Sequence, residues 1–174
     1  DVTGVQTWCS SDLEGESVTF SATISDAGEA RLFYNWDFGD GEQTGGIGKS
    51  EIEHTYKNEG SYIIKLVVSD STSIEVAKEI AVTIENIPPK VMTGSPYQVE
   101  EVRSITLDAS KSADLDELTF AWDLVVGQTE TGESISYTPH NVGANVVTLK
   151  ISDGVDEVVQ DGVVEVTSVA PVVE

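Results

Sequence analysis

The sequence predicts an all-β chain: two tandem immunoglobulin-like β-sandwiches joined by a short Pro-Pro linker. Three observations carry that expectation. Runs of strand length alternate apolar and polar residues, turn residues separate the runs, and the second half of the chain repeats the first. No segment with helical periodicity and caps competes with them.

The runs follow one another along the chain. Val18-Thr19-Phe20-Ser21-Ala22-Thr23-Ile24 alternates with period two, as a strand with one buried face must, because successive side chains point to opposite faces. Tyr62 to Ser69, Val76 to Ile84 and Val146 to Ser152 do the same, and Val, Ile and Thr dominate them. Asp26-Ala27-Gly28, Gly39-Asp40-Gly41, Asn58-Glu59-Gly60 and Asp153-Gly154 supply the turns between runs. Short strands with turns at this spacing are the pattern of an immunoglobulin-like sandwich of about seven strands.

The repeat sets the domain organisation. Ile52-Glu53-His54-Thr55-Tyr56 aligns with Ile135-Ser136-Tyr137-Thr138-Pro139, and Leu66-Val67-Val68-Ser69-Asp70 with Leu149-Lys150-Ile151-Ser152-Asp153, both at an offset of 83. Upstream, Trp36-Asp37-Phe38 aligns with Trp122-Asp123-Leu124 at an offset of 86, so the second copy is three residues shorter in between. The expected division is 1–86 for the first sandwich, 87–90 for the linker and 91–167 for the second sandwich. In the linker, Pro88 and Pro89 fix φ and remove two backbone donors. Residues 168–174, with Pro171, read as the start of a further linker in a longer array.

Composition narrows the function classes. Nine Lys and Arg stand against 31 Asp and Glu, a net charge of −22. The charge divides evenly at the proline pair, with 16 acids and 5 bases before it and 15 and 4 after it. A field of that sign repels phosphate backbones and anionic lipid, so neither nucleic-acid binding nor membrane insertion is expected. It suits divalent cations, cationic partners or a saline exterior. No apolar run approaches the roughly 18 residues of a membrane-spanning helix. The single cysteine, Cys9, excludes an internal disulfide and a cysteine-based zinc site, and reads as a structural thiol in a first strand.

Tyr34-Asn35-Trp36-Asp37-Phe38-Gly39-Asp40-Gly41 is followed by His54-Thr55-Tyr56 and then by Gly60-Ser61-Tyr62 opening a strand that ends in Asp70. These motifs, in this order, resemble the PKD (polycystic-kidney-disease) domain family over residues 1–86. The second copy keeps Trp122-Asp123 and a family-like loop from Asp108 to Phe120. It replaces Gly-Asp-Gly with Val125-Val126-Gly127-Gln128 and His-x-Tyr with Tyr137-Thr138-Pro139. Its resemblance is to the same family or to a neighbouring immunoglobulin-like one. Most of the signature, namely Trp36, Asp37, Gly39, Asp40, Gly41, His54, Tyr56, Trp122 and Asp123, reads as structural. The indoles fill the sandwiches, against the competing reading of a ligand platform. The glycines permit a tight hairpin, and His54 is a satisfied imidazole in place of a base or metal ligand.

Asp37 and Asp40 lie on a strand and its turn with no cleft-forming insertion, which argues against the paired acids of a glycosidase. No phosphate loop or nucleophile set is present, so no enzyme is expected. The family resemblance implies calcium in the second domain, held by Asn86, Asp114, Asp116 and Asp153, against the alternative of a solvated acidic loop. In the first domain only Asp26 and Asp70, with Asp1 before them, offer a counterpart. The expected role is a non-catalytic extracellular spacer or adhesion module in a larger secreted or cell-surface protein, bacterial or archaeal, whose partners are the flanking domains of its own chain. The alternative is an accessory module binding polysaccharide or an insoluble protein polymer for an attached hydrolase, with Trp8, Tyr62 and Tyr97 as exposed aromatics. A monomer is expected.

Overall fold

The computed structural model describes residues 2–8, 12–24, 31–70, 75–125 and 127–169, the first of these as backbone. Cys9, Asp1, Asp26 and the Asp26-Ala27-Gly28 turn lie outside the described residues. The chain divides into two compact units, Asp1–Asn86 and Ile87–Glu174, and every element described in either is a strand.

The first unit runs β1 (Val2–Trp8), β2 (Ser17–Ile24), β3 (Phe33–Asp37), β4 (Gln43–Ile47), β5 (Glu51–Thr55), β6 (Gly60–Ser69) and β7 (Glu75–Ile84). One sheet has the order β1-β2-β5 and the other β4-β3-β6-β7. The alternation in sequence becomes alternation in burial: in β6, Ile64, Leu66 and Val68 are buried while Ile63 and Lys65 face out. Val18, Phe20, Tyr34, Trp36, Phe38 and Tyr56 complete the core from the other strands. Trp36 is fully buried, paired with Leu66 across the sheet, and its Nε1–H donates to the Lys49 carbonyl at 3.0 Å.

The second unit repeats the plan with β8 (Tyr97–Glu100), β9 (Ile105–Asp108), β10 (Thr119–Leu124), β11 (Gln128–Thr131), β12 (Ser134–Tyr137), β13 (Gly143–Ser152) and β14 (Glu157–Thr167). Its sheets have the orders β11-β10-β13-β14-β8 and β12-β9. Trp122 is fully buried, pairs with Leu149, and donates its Nε1–H to the Gly132 carbonyl at 3.0 Å. Leu149 and Gly132 stand 83 positions after Leu66 and Lys49, so each indole has the same partners in its own unit. A core of Leu107, Val147, Leu149, Ile151 and Val164 surrounds it.

β8 adds to β14 in parallel, and among the described residues a parallel bridge of Leu13 with Glu85 takes the same place in the first unit. The turn that follows needs a left-handed residue. The first unit has Gly15 there at φ 70, the second Val102 at φ 59. A β-branched side chain is rarely found in that region, so Val102 holds strain that Gly15 does not. Lys90 exchanges backbone hydrogen bonds with Ala113, at 3.0 and 3.1 Å, which ties it to the loop before β10.

Candidate functional site

The signature residues of the first unit converge on the β3–β4 hairpin. Asp37 ends β3 and accepts the Gly39 N–H at 3.0 Å through Oδ1 and the Gln43 amide at 2.8 Å through Oδ2. Asp40 accepts the Glu42 N–H at 2.9 Å through Oδ1, closing the turn. Gly39 sits at φ 81, and a Cβ there would meet the Ile63 carbonyl oxygen at 2.6 Å, so both conformation and close approach require glycine.

The other oxygen of Asp40 lies 2.7 Å from His54 Nε2, with the two side chains 18% and 7% exposed. An ionised carboxylate only accepts, so the imidazole carries its proton on Nε2. Burial alone would raise the Asp40 carboxyl; the Glu42 N–H and His54 outweigh it and hold the group below its ordinary value. The imidazole stacks on Phe38 at 3.9 Å between centroids and meets the Tyr56 ring edge-on at 4.7 Å. Tyr56 in turn donates its buried O–H to the Phe38 carbonyl at 3.1 Å and stacks on Tyr62 at 4.3 Å. Burial, with the Asp40 charge beside it, pushes the Tyr56 hydroxyl well up. Asp37 and Asp40 thus serve the turn, and the His54 ring is stacked on Phe38 with Tyr56 set perpendicular to it.

In the second unit Asp123 accepts from Thr129 at 2.8 Å and lies 2.7 Å from Lys150 Nζ on the outer face of the sheet. The Lys150 hydrogen bond, seconded by Thr129, holds its carboxyl below the usual range. Tyr137, at the position of His54, is buried. Of the acids that the resemblance nominates, Asp114 and Asp116 are both half-buried in the loop before β10. Asp114 accepts the Leu115 N–H through Oδ1, while its Oδ2 is shielded from solvent with no hydrogen-bond partner. Asp153 stands at the β13–β14 turn, where Oδ1 accepts the N–H groups of Val155 and Asp156 at 2.8 and 2.7 Å. Asn86, half-buried, ends the first unit. Asp70, which follows β6, is also half-buried.

Two features escaped the sequence. Glu14 is fully buried, and its carboxylate lies within 4.8 Å of that of Glu59. The only signal was a Glu-Gly pair in a turn. The second is a correction. Tyr97 is not an exposed aromatic: it is buried on β8, its hydroxyl bonded to the backbone of Gly94 and Asp108. Tyr62 is half-covered by Tyr56, and the Trp8 side chain lies outside the described residues.

Two sheets packed face to face around one aromatic-rich core define each unit as an immunoglobulin-like β-sandwich. A family model described as PKD domain matches residues 9–84, within the first unit. Among solved structures, the chain is similar to the PKD1 domain of the Vibrio cholerae metalloprotease PrtV. Identity is 22% over 47% of this chain and 93% of that one, with a TM-score of 0.39. It is also similar to the amphioxus IgVJ-C2 molecule, at 15% identity over 88% and 98% of the two chains and a TM-score of 0.49. A carbohydrate-binding module of the β-sandwich superfamily matches at 18% identity over 84% and 56%, with a TM-score of 0.43. The PKD domain is a non-catalytic module fold, typically found outside the cell. Among the described residues, no helix is long and apolar enough to cross a membrane.

Proposed function

We propose that the chain is a non-catalytic extracellular spacer or adhesion segment of a larger secreted or cell-surface protein, built from two copies of one domain. The observation that carries this reading is how the signature's reactive groups are engaged. Asp37, Asp40 and His54 are bonded within the hairpin and its core, and both indoles lie inside. A module whose polar signature holds its own shape is suited to positioning its neighbours. Incubation with chitin, cellulose and collagen tests it. No retention on any of the three supports the spacer, and retention on one supports an accessory module for polymer binding.

A second reading concerns calcium. A carboxylate oxygen shut away from water with no hydrogen-bond donor is where a divalent cation fits, and Asp114 Oδ2 is in that condition. Asp114 and Asp116 would contribute two of the six to eight oxygens calcium takes, with Asp153 as the further ligand that the resemblance nominates in the same unit. Calcium would neutralise acidic charge and stiffen the loop before β10. Melting curves with calcium and with a chelator test this; curves that coincide exclude it.

A further inference from the structure

We infer that the second unit carries a binding pocket for a neutral sugar ring, between the adjoining ends of β10 and β11 and the loop joining β12 to β13. The inference goes beyond the spacer reading, since a spacer can bear a weak sugar site without losing its role. The cavity measures about 300 Å³. That is the low end of ligand-binding clefts, where a single small ring fits.

Its lining is amphipathic in the way a pyranose is. Leu124 and Tyr137, both buried, and half-buried Val125 supply an apolar floor for the C–H face of a ring. Around the mouth stand Gln128, Glu130, His140 and Asn141, all exposed. Sugar hydroxyls both donate and accept. Two amides, a carboxylate and an imidazole offer both functions, and none of these four side chains has a hydrogen bond to another described residue.

The same place is concave in the first unit, where a cavity of about 280 Å³ includes Glu42, Thr55, Lys57 and Asn58. Those positions correspond in the repeat to Gln128, Thr138, His140 and Asn141. The concavity therefore belongs to the fold, and its chemistry differs between copies. In the first unit Asp40, Glu42 and Lys57 make it charged, and Gly39 and His54 stand where the second has Val125 and Tyr137. Amides and an apolar floor in the second unit select a neutral ring. Glu130, in a half with 15 acids and 4 bases, disfavours an anionic one.

Nuclear magnetic resonance titration of the full chain with methyl glucoside, galactose and N-acetylglucosamine reads the result by residue. A ring of a dozen heavy atoms with a few hydrogen bonds binds with a Kd of about millimolar. The expected outcome is saturable shifts of amides in β11 and in the loop after β12 for at least one of these sugars. Gln128→Ala and His140→Ala, at exposed positions that leave the rest of the spectrum in place, are each expected to weaken binding by about tenfold. Absence of shifts with all three sugars, shifts confined to other surfaces, or variants that bind like the parent would overturn the inference. The polymer pull-down answers separately, because retention through another face would leave these amides unmoved.

Discussion

Replacing Asp40 with alanine removes the acceptor for two donors. The Glu42 N–H at the exposed turn can turn to water, which costs about 1 kcal/mol. The His54 Nε2–H cannot: its side chain is 7% exposed, stacked on Phe38 and flanked by Tyr56, so an unsatisfied buried donor adds about 1–2 kcal/mol. The total is about 2–3 kcal/mol for a unit of this size, or roughly 10–20 °C in its melting temperature. Differential scanning calorimetry with near-ultraviolet circular dichroism measures it, with Asp37→Ala as the comparison. The Asp37 bonds are exposed, so that loss stays near 1 kcal/mol or below. Acidity supplies a second check. A carboxyl held below its ordinary value in the folded state contributes full stability above its unfolded pKa and loses it as pH falls toward the folded one. The gap between parent and Asp40→Ala therefore narrows below about pH 4. A variant as stable as the parent at neutral pH, or a gap constant down to strong acid, would refute the reasoning.

Three left-handed positions give further expectations. Gly39→Ala adds a left-handed alanine and a Cβ at 2.6 Å from a backbone oxygen, whereas Gly41→Ala, at φ 95, meets nothing within 4 Å. Denaturant titration should find about 1 kcal/mol for Gly41→Ala and at least twice that for Gly39→Ala. In the second unit Val102→Gly releases the strain at φ 59 and is expected to stabilise by about 0.5–1 kcal/mol, seen as a higher denaturation midpoint at unchanged slope.

Much of the fold was legible because it is local and repeated. The offset of 83 places β13, Gly143–Ser152, on β6, Gly60–Ser69, residue for residue. The alternation in those runs marks the faces that become buried. Gly39 and Gly41 do take positive φ, as a hairpin closed by Gly-Asp-Gly needs. What local pattern does not carry is partnership between distant segments. Tyr97 follows Pro96 in a short polar stretch and reads as surface. Only the parallel addition of β8 to β14 turns its ring inward and supplies backbone partners for its hydroxyl. The closeness of Glu14 to Glu59 has the same origin: β-pairing brings together residues 45 apart in the chain. For the nominated acids, the resemblance pointed to Asp114 and Asp116 in one loop, but not to Asp153 engaging its own turn through Oδ1. The pocket on the second unit was not visible either, since its floor and mouth come from β10, β11 and the loop after β12.

The most direct test is Trp36→Ala in the whole chain, followed by amide hydrogen exchange. Truncating a fully buried indole costs roughly 3–5 kcal/mol. If each unit is organised round its own tryptophan, protection falls in β2, β3 and β6 while β10, β13 and the Trp122 indole N–H keep theirs. Equal loss of protection in both units, or none in the first, would contradict that account.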